Sequence, residues 1–309
     1  MRHTAVLVDE VIEMLHLQKG MHIIDCTLGD AGHAEKILES IGETGKYLGI
    51  DVDPEAIVRA KHFLHEYPTQ TLFARDNFVH IKKIVKDFGF SPVHGILLDL
   101  GWSTPQFEER GRGFSFLQPD EPLDMRFGSD VANGSSDVPS KTAADILHTQ
   151  SADQLAQIFA DYGEEKWSKE IAQNIVLCRE KKAIATVADL VEIILQVYRR
   201  ILKTDKDVPW IGGLHPATKV FQALRIAVNN ELHVLEKTLP DAIDVLAPKG
   251  RLVVITFHSL EDRIVKHYFK SQNKKNIHII TKKPIVCSKE ECLRNPRARS
   301  AKLRVIEKI

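Results

Sequence analysis

The sequence predicts an α/β fold built on a mostly parallel sheet. Over the first hundred residues, short apolar segments alternate with helical ones, a pattern typical of parallel strands joined by right-handed crossovers. The first of these strands is followed at once by a loop of small residues and a helix. The same alternation resumes after residue 213, so the sheet is expected to draw strands from both ends of the chain.

The first part of the sheet is expected to contain four strands. Each candidate is short, apolar and bounded by glycine, proline or charge. Helices are predicted between them, including one from Pro54 to Tyr67, where a proline suits the first helical turn. Ligands of such sheets bind beyond the carboxyl ends of the strands. The four predicted strands are 22–26, 46–50, 71–74 and 95–99, and a helix begins at 34.

The middle of the chain is predicted to be helical. Two segments rich in glycine, proline or serine, 111–122 and 128–140, precede a long stretch without strand signals. A helix is predicted to open near Ser151, with Gln154 as its capping-box partner. Further helices are predicted near 164–180 and 186–202. We expect residues 112–213 to form an inserted helical domain for substrate recognition.

The α/β pattern resumes in the last part of the chain. A long amphipathic helix is predicted over 216–239, with its apolar residues on one side. The predicted strands that follow are 251–257, 276–280 and 303–308. Residues 1–111 and 214–309 are therefore expected to form one domain around the insertion.

Composition favours a cytoplasmic protein without a metal site. No apolar run among the 309 residues reaches the length of a membrane span. Residues 1–17 include Asp9, Glu10 and Glu13, whereas a signal peptide would be basic and then apolar. Cys287 and Cys292 are five residues apart and no second pair completes a zinc site, so free thiols are expected, with a structural zinc site as the alternative.

Positive charge is concentrated near the end of the chain. The net charge is zero, yet from Arg263 onwards there are 14 Lys and Arg against 3 Asp and Glu, a net of +11. Such asymmetry is typical of a polyanion partner, with a solvated basic surface as the alternative. The arginines at 297, 299 and 304 are interleaved with small residues, an arrangement that can lie close to a phosphate backbone.

The loop after the first strand predicts a site for an adenosine-type cofactor. The strand ends in Asp25, the loop contains Gly29 and Gly32, and the next strand ends in Asp51, placed to accept ribose hydroxyls. Thr27 stands where a dinucleotide fold has its first glycine. A carboxylate near the loop would repel a pyrophosphate but suit a cationic sulfonium. These features favour S-adenosylmethionine over NAD, with an ordinary strand-to-helix turn as the alternative.

Polar residues at two other strand ends are candidates for catalysis. Asp99 ends the fourth strand, where a carboxylate can accept an N–H from a substrate amine or from the cofactor; a turn cap is the alternative. His258 and Ser259 follow a buried strand. Because neighbouring strand side chains point to opposite faces, a nucleophile–base pair is not expected there unless the backbone turns. We expect these two residues to position substrate.

The order of motifs along the whole chain resembles the RsmH family, also called MraW, of bacterial methyltransferases. The most specific blocks are Phe221-Gln222-Ala223-Leu224-Arg225-Ile226 and Phe257-His258-Ser259-Leu260-Glu261-Asp262-Arg263. Further matching blocks are His3-Thr4 with Val6-Leu7, Asp25 to His33, Asp51-x-Asp53-Pro54, Leu98-Asp99-Leu100-Gly101, Arg110-Gly111-x-Gly113-Phe114-Ser115-Phe116, Pro122-Leu123-Asp124-Met125-Arg126, Tyr162-Gly163-Glu164-Glu165, His215-Pro216-Ala217-Thr218 and Asn295-Pro296-Arg297-x-Arg299-Ser300.

The resemblance implies a class I (Rossmann-like) methyltransferase fold with an inserted helical domain. It implies methyl transfer from S-adenosylmethionine to N4 of a cytidine in small-subunit (16S) ribosomal RNA, at the decoding region, on naked RNA or the assembled subunit. Asp99 would contact both cofactor and reactive region, while His258 and Ser259 would shape the cytosine pocket. Cofactor contacts are implied at Ala31, Gly32, His33, Asp51, Phe78, Asp99 and Gln106, beside Asp25 and Gly29. The expected RNA-binding residues are Arg112, Phe114, Phe116, Arg225, Arg263, Arg297, Arg299 and Arg304.

This chain departs from the family pattern at a few positions. Ala31 stands where the family prefers glycine, and its methyl group is expected to be tolerated if its φ is negative. Trp102, Thr104 and Phe127 also differ, which bears on the fit of the substrate.

Two other classes of function are weighed against methyl transfer. A non-catalytic RNA-binding ribosome-assembly factor could retain the fold, although the set of Gly29, Gly32, Asp51 and Asp99 is intact. A nicotinamide dehydrogenase is disfavoured by Thr27 and the basic tail. A DNA amino-methyltransferase would carry an Asn/Asp-Pro-Pro-aromatic motif, which does not follow Leu98.

Overall fold

One mostly parallel sheet forms the centre of the first of two compact units, residues 1–103 with 232–309. The computed structural model describes residues 5–100, 111–128, 141–204, 206, 208, 210–211 and 213–309. Its strands are β1 (His22–Asp25), β2 (Lys46–Asp51), β3 (Thr71–Arg75), β4 (Val93–Asp99), β5 (Leu246–Thr256), β6 (Ile277–Ile279) and β7 (Lys302–Lys308).

The strands lie in the order β3-β2-β1-β4-β5-β7-β6. Neighbours from β3 to β5 are parallel, and β7 is antiparallel to both β5 and β6. The predicted α/β fold with a mostly parallel sheet is confirmed. Because β1, β2, β4 and β5 are parallel, their carboxyl ends meet at one edge of the sheet, where ligands of such folds bind.

Twelve α-helices accompany the sheet and the second unit within the described residues. They are α1 (Val8–Leu15), α2 (Ala34–Ile41), α3 (Pro54–Phe63), α4 (Ile81–Asp87), α5 (Ala143–Thr149), α6 (Ala152–Gly163), α7 (Ser168–Arg179), α8 (Val187–Leu202), α9 (Thr218–Asn229), α10 (Glu231–Val245), α11 (Ser259–Gln272) and α12 (Lys289–Arg294).

Apolar helix faces cover the sheet on both sides. Alternate strand residues point to opposite faces, so Ile23 and Ile24 of β1 belong to different core clusters. The Ile23 cluster contains apolar residues of α1, α2 and α3, whereas the Ile24 cluster contains residues of α4, α10 and α11. This sandwich of helices around a sheet makes the strand ends a rigid platform.

The second unit, residues 104–231, has helices α5 to α9 among its described residues. Capping boxes open three of them, at Thr142, Ser151 and Thr186, in each case with the side chain of the third helical residue bonded back to the cap. The predicted pair of Ser151 and Gln154 is one of the three. The unit is wider than the predicted insertion 112–213, because α9 packs on α6 within it.

Gly163 permits the close packing of α6 on α9. A methyl group added there would lie 2.5 Å from the carbonyl oxygen of Lys219. We expect Gly163→Ala to lower the free energy of unfolding by about 1–3 kcal/mol, since one helix must move away from the other. Urea unfolding of the variant measures this loss. Asp161→Ala, on the exposed side of the same helix, is the matched control, and an equal loss there would contradict the explanation.

Two predictions of local structure are wrong. The predicted helix over 216–239 is divided into α9 and α10 by Asn230, which has a left-handed conformation with φ of 52°. Asparagine adopts this conformation more readily than most residues. Cys287 and Cys292 form a disulfide rather than two free thiols, while Cys26 and Cys178 are free.

Membrane-spanning helices are not found in the part of the chain that the structure describes, since none is both long and apolar enough.

Candidate cofactor and active site

Three carboxylates end neighbouring strands at the same edge of the sheet. The register pairs Asp25 of β1 with Gly49 of β2 and with Leu97 of β4. Asp51 and Asp99 therefore lie two residues further along their strands, beyond the end of β1. The predicted residues Asp25, Asp51 and Asp99 are brought together here around the loop that joins β1 to α2.

Asp51 holds this loop through its backbone. Its Oδ2 accepts the Gly29 N–H at 2.8 Å, and its Oδ1 accepts the Asp53 N–H at 2.9 Å. Gly29 has a φ of 49°, a left-handed conformation that glycine adopts without steric cost. A carboxylate is an acceptor of several hydrogen bonds, so the chemistry of Asp51 suits the hydroxyl groups of a ribose.

Asp25 lies beneath the loop and is almost fully buried. Its Oδ2 accepts the Tyr47 hydroxyl at 2.8 Å, and its Oδ1 accepts the Thr27 N–H at 3.0 Å. Burial raises the pKa of Asp25, an effect that the charge of His33 and these hydrogen bonds oppose. Because only 2% of Asp25 is exposed, its structural task is to support the loop, and its carboxylate can act on a ligand through its field.

Ala31 corrects one expectation about the loop. Its φ is +57°, so the condition of a negative φ is not met, and the residue is fully buried. A left-handed conformation costs an L-residue about 1–2 kcal/mol relative to glycine. Glycine would adopt this conformation at position 31 without that cost.

This strain gives a prediction for the loop. We expect Ala31→Gly to change the free energy of unfolding by less than about 1 kcal/mol, because relief of strain offsets the added freedom of the unfolded chain. Ala31→Val should lower it by about 2–3 kcal/mol, since a β-branched residue fits this φ poorly. Thermal and urea unfolding of the pair measure the difference. Equal stability of the two variants would argue against the left-handed conformation.

His33 joins the loop to Asp99. Its Nε2 lies 2.9 Å from the carbonyl oxygen of Val6, and its Nδ1 lies 3.8 Å from Asp99 Oδ2. The Asp99 N–H donates to Thr27 Oγ1 at 2.7 Å, which ties the end of β4 to the same loop. The predicted residues His33 and Asp99 thus face each other at the strand ends.

Of the remaining predicted cofactor residues, Phe78 and Gly32 are within the described part of the chain. Phe78 begins the short 3₁₀ turn Phe78–His80 that follows β3, and it packs against the core at the same edge of the sheet. Gly32 follows Ala31 in the loop. Gln106 lies outside the described residues, as do Trp102 and Thr104.

His258 and Ser259 lie at the start of α11, not on a strand. β5 ends at Thr256, His258 is the N-cap of the helix, and Ser259 is its first residue. The backbone turns at these two residues, so their side chains do not lie on opposite faces of a strand. Glu261 fixes this turn, because its Oε2 accepts the Phe257 N–H at 2.8 Å. Its Oε1 lies 3.0 Å from His258 Nε2. Ile255 of β5 pairs with Asp99 of β4, so His258 and Ser259 come just after the strand end that lies beside Asp99.

Among the predicted RNA contacts in the first unit, three arginines are accessible and one is buried. Arg263 and Arg299 are exposed, and Arg297 is half-buried. Arg304 is only 7% exposed, and its Nε and Nη2 donate to Asp262 at 2.6 and 3.2 Å. Burial alone would raise the pKa of Asp262, but the hydrogen bonds and charge of Arg304 hold it below its usual value. This internal ion pair argues against the prediction that Arg304 binds RNA.

The predicted RNA contacts in the second unit build that unit's own structure. Arg112 donates to the carbonyl oxygens of residues 126 and 127. Phe114 is buried and stacks on Phe127, with ring centroids 5.9 Å apart. Phe116 stacks on His215 at 4.6 Å with an interplanar angle of 9°. Both rings are half-buried, and they also meet Phe221 and Trp210 edge-on, with centroids 6.1 and 6.0 Å apart.

Arg225 is also engaged inside the second unit. Its Nε and Nη2 each donate to a carboxylate oxygen of Glu231 at 2.9 Å, and its side chain is 13% exposed. A bidentate pair of this kind fixes the guanidinium in place. The arginine of the specific Phe-Gln-Ala-Leu-Arg-Ile block therefore has a structural partner, whatever else it binds.

Sequence reasoning missed the residues that hold the site in shape. The Tyr47 hydroxyl donates to Asp25, and Thr27 Oγ1 accepts the Asp99 N–H. Arg59 donates to Asp30 of the loop at 2.7 Å. Their partners are 22 or more residues away, and no local pattern indicates such pairs. Glu261 had a signal, because His258-x-x-Glu261 has the spacing of a capping box.

Comparison with known proteins gives one consistent family. The family model described as the MraW methylase family matches residues 1–309. Similar curated proteins are named ribosomal RNA small subunit methyltransferase H. The one from Clostridioides difficile is 41% identical over 99% of both chains, and the one from Dictyoglomus thermophilum is 44% identical over 99% of this chain and 96% of its own.

Solved structures resemble the fold more distantly. A putative rRNA-methylase from Clostridium thermocellum aligns with 97% of this chain and 94% of its own, at 12% identity and a TM-score of 0.46. A putative methyltransferase from Streptococcus mutans, in complex with SAH, aligns with 98% and 97% at 12% identity and a TM-score of 0.44.

Proposed function

Because this chain belongs to the MraW methylase family, we propose that it transfers a methyl group from S-adenosylmethionine to N4 of a cytidine in small-subunit (16S) ribosomal RNA, at the decoding region. The name shared by relatives that are 41–44% identical over nearly the whole chain supports an rRNA substrate. The observation that carries the proposal is the set of Asp51 and Asp99, both tied by hydrogen bonds to the loop after β1.

The donor set at the strand ends fits S-adenosylmethionine. Carboxylates at 25, 51 and 99 surround the loop, and their negative charge suits a ligand with a sulfonium and an ammonium group better than one with a pyrophosphate. Asp51 would hold the ribose hydroxyls and the loop amides would face the ligand. S-adenosylmethionine supplies an electrophilic methyl group when bound.

The residues of this chain then orient the acceptor amine. The lone pair of the cytosine amino group is delocalised into the ring, so the amine is a poor nucleophile and gains most from alignment. Asp99 would accept an N–H from N4 and so align the single lone pair of this nitrogen with the methyl group, and His258 and Ser259 would bound the pocket for the base. Such positioning can lower the activation barrier by on the order of several kcal/mol.

RNA binding is supported by the basic end of the chain. The net charge of +11 from Arg263 onwards attracts the phosphate backbone, and Arg263, Arg297 and Arg299 are at least partly exposed. The proposal for the helical insertion is that it recognises the substrate, with the stack of Phe116 and His215 as a platform for a base. The cytoplasmic location stays a prediction.

Mass spectrometry of small-subunit rRNA tests the proposal. RNA from cells with and without this protein is digested and compared, and one methyl group on one cytidine is expected to be lost in its absence. Add-back of the purified protein with S-adenosylmethionine should restore it. An unchanged RNA, together with binding of the protein to the subunit, would instead favour the ribosome-assembly factor.

A further inference from the structure

The N-terminal segment 5–7 covers the loop that joins β1 to α2. A methyl group added at Gly32 would lie 2.8 Å from the Cβ of Ala5, so the two backbones are in close approach. Val6 and Leu7 are buried, with 2% and 0% exposure. The segment therefore packs directly on the loop, and a residue that holds the segment can affect the loop through it.

Contact between this segment and the loop fixes the imidazole of His33. The Val6 carbonyl oxygen lies 2.9 Å from His33 Nε2. A carbonyl oxygen only accepts hydrogen bonds, so Nε2 carries the hydrogen. The ring is then held with its other nitrogen, Nδ1, toward Asp99 Oδ2 at 3.8 Å. The direction of the Val6 carbonyl thus decides which ring nitrogen of His33 lies toward Asp99.

The direction of that carbonyl depends on the conformation of Leu7. The peptide unit that contains the Val6 carbonyl also contains the Leu7 N–H. Leu7 is left-handed, with φ of 54° and ψ of 39°, and it precedes α1 without a side-chain cap. A leucine does not adopt this conformation readily, so other contacts must hold it.

Glu291 supplies such a contact from the other end of the chain. Its Oε1 accepts the Leu7 N–H at 2.7 Å across a separation of 284 residues. Glu291 is on α12, where Ser288 Oγ accepts its N–H at 3.1 Å and the Asn295 N–H donates to its carbonyl oxygen at 2.7 Å. The carboxylate is thus presented by a turn that is itself anchored on both sides.

We propose that Glu291 is a positioning residue for methyl transfer, since it holds the peptide unit between Val6 and Leu7 and thereby the imidazole of His33 against Asp99. The proposal rests on the proposed function of the strand-end site. Glu291 touches neither substrate nor cofactor in this scheme. Its effect is transmitted by two hydrogen bonds, one from the Leu7 N–H to Glu291 and one from His33 Nε2 to the Val6 carbonyl oxygen.

Four variants separate the hydrogen bond from charge and from general damage. Glu291→Gln keeps the reach and an accepting oxygen, Glu291→Asp keeps the charge without the reach, and Glu291→Ala removes both. Glu290→Ala is the matched control, because Glu290 is an exposed glutamate on the same helix turn. Methyl transfer to small ribosomal subunits gives kcat and the KM values for S-adenosylmethionine and for the subunit.

We expect Glu291→Ala and Glu291→Asp to lower kcat at least about ten-fold, because small displacements of a positioned group cost this much or more. KM for the subunit should stay unchanged, Glu291→Gln should retain at least half of kcat, and Glu290→Ala should match the unchanged protein. The histidine ¹H–¹⁵N spectrum should show the His33 Nε2–H signal shift in the Asp and Ala variants but not in the Gln variant.

Two results would overturn the proposal. One is an unchanged kcat in folded Glu291→Asp, and the other is a Gln variant as impaired as the Asp variant. If Glu291→Ala does not fold, the comparison of Gln with Asp still decides. If the unchanged protein transfers no methyl group, the proposed function fails instead, and the His33 signal in the same variants still tests the hydrogen-bond relay.

Discussion

Replacing Asp99 by alanine is expected to lower the rate of methyl transfer by about 1,000-fold, the scale observed when an oriented polar group at a reaction centre is removed. The carboxylate lies at the end of β4, facing His33 Nδ1 at 3.8 Å. Without it, the amine of the cytosine loses the acceptor that orients it. The measurement is a single-turnover rate with saturating S-adenosylmethionine and small subunits.

The fold should survive this change. The Asp99 N–H that donates to Thr27 Oγ1 at 2.7 Å belongs to the backbone and remains in the alanine variant. Circular dichroism and the midpoint of thermal unfolding should therefore stay close to those of the unchanged protein. Asp99→Asn tests whether an accepting oxygen is enough. A folded alanine variant with full activity would remove Asp99 from the mechanism.

Replacing Asp51 by alanine is expected to weaken the binding of S-adenosylmethionine about 100-fold. A hydrogen bond to a charged group contributes about 1.5–3 kcal/mol, and about 2.7 kcal/mol corresponds to this loss of affinity. The carboxylate also holds the Gly29 and Asp53 amides at 2.8 and 2.9 Å. Its loss therefore removes both the contact to ribose and the shape of the loop. Isothermal titration gives the Kd.

Two further variants divide these effects. Asp51→Asn retains one accepting oxygen for the loop but loses the charge, so its affinity should lie between those of the alanine variant and the unchanged protein. Glu66→Gln removes an exposed carboxylate of the same unit and controls for net charge. An alanine variant that binds S-adenosylmethionine as tightly as the control would place the ribose elsewhere.

Local signals in the sequence predicted most of the elements correctly. The first strand, predicted as a short apolar segment, ends at Asp25, and the helix predicted from Pro54 begins there, with Asp53 capping it through the Glu55 N–H. The capping box at Ser151 was equally local. Short-range chemistry of this kind depends on residues within one turn, so a single sequence is enough to find it.

Properties that depend on tertiary contacts could not be found in this way. The positive φ of Ala31 belongs to a loop that packs closely against Ala5, and alanine in a sequence gives no sign of it. Arg304 looked like one of several basic residues, but Asp262, 42 residues earlier, pairs with it in the interior. Asn230 did carry a signal, because asparagine tolerates the left-handed conformation that ends α9.

Equilibrium dialysis of the full chain against radiolabelled S-adenosylmethionine, with small ribosomal subunits also supplied, tests the central claim most directly. We expect retention of one donor molecule per chain, with retention strongly reduced in Asp51→Ala and preserved in the control Glu66→Gln. Failure of the unchanged protein to retain any donor would contradict a cofactor site at the carboxyl ends of β1, β2 and β4.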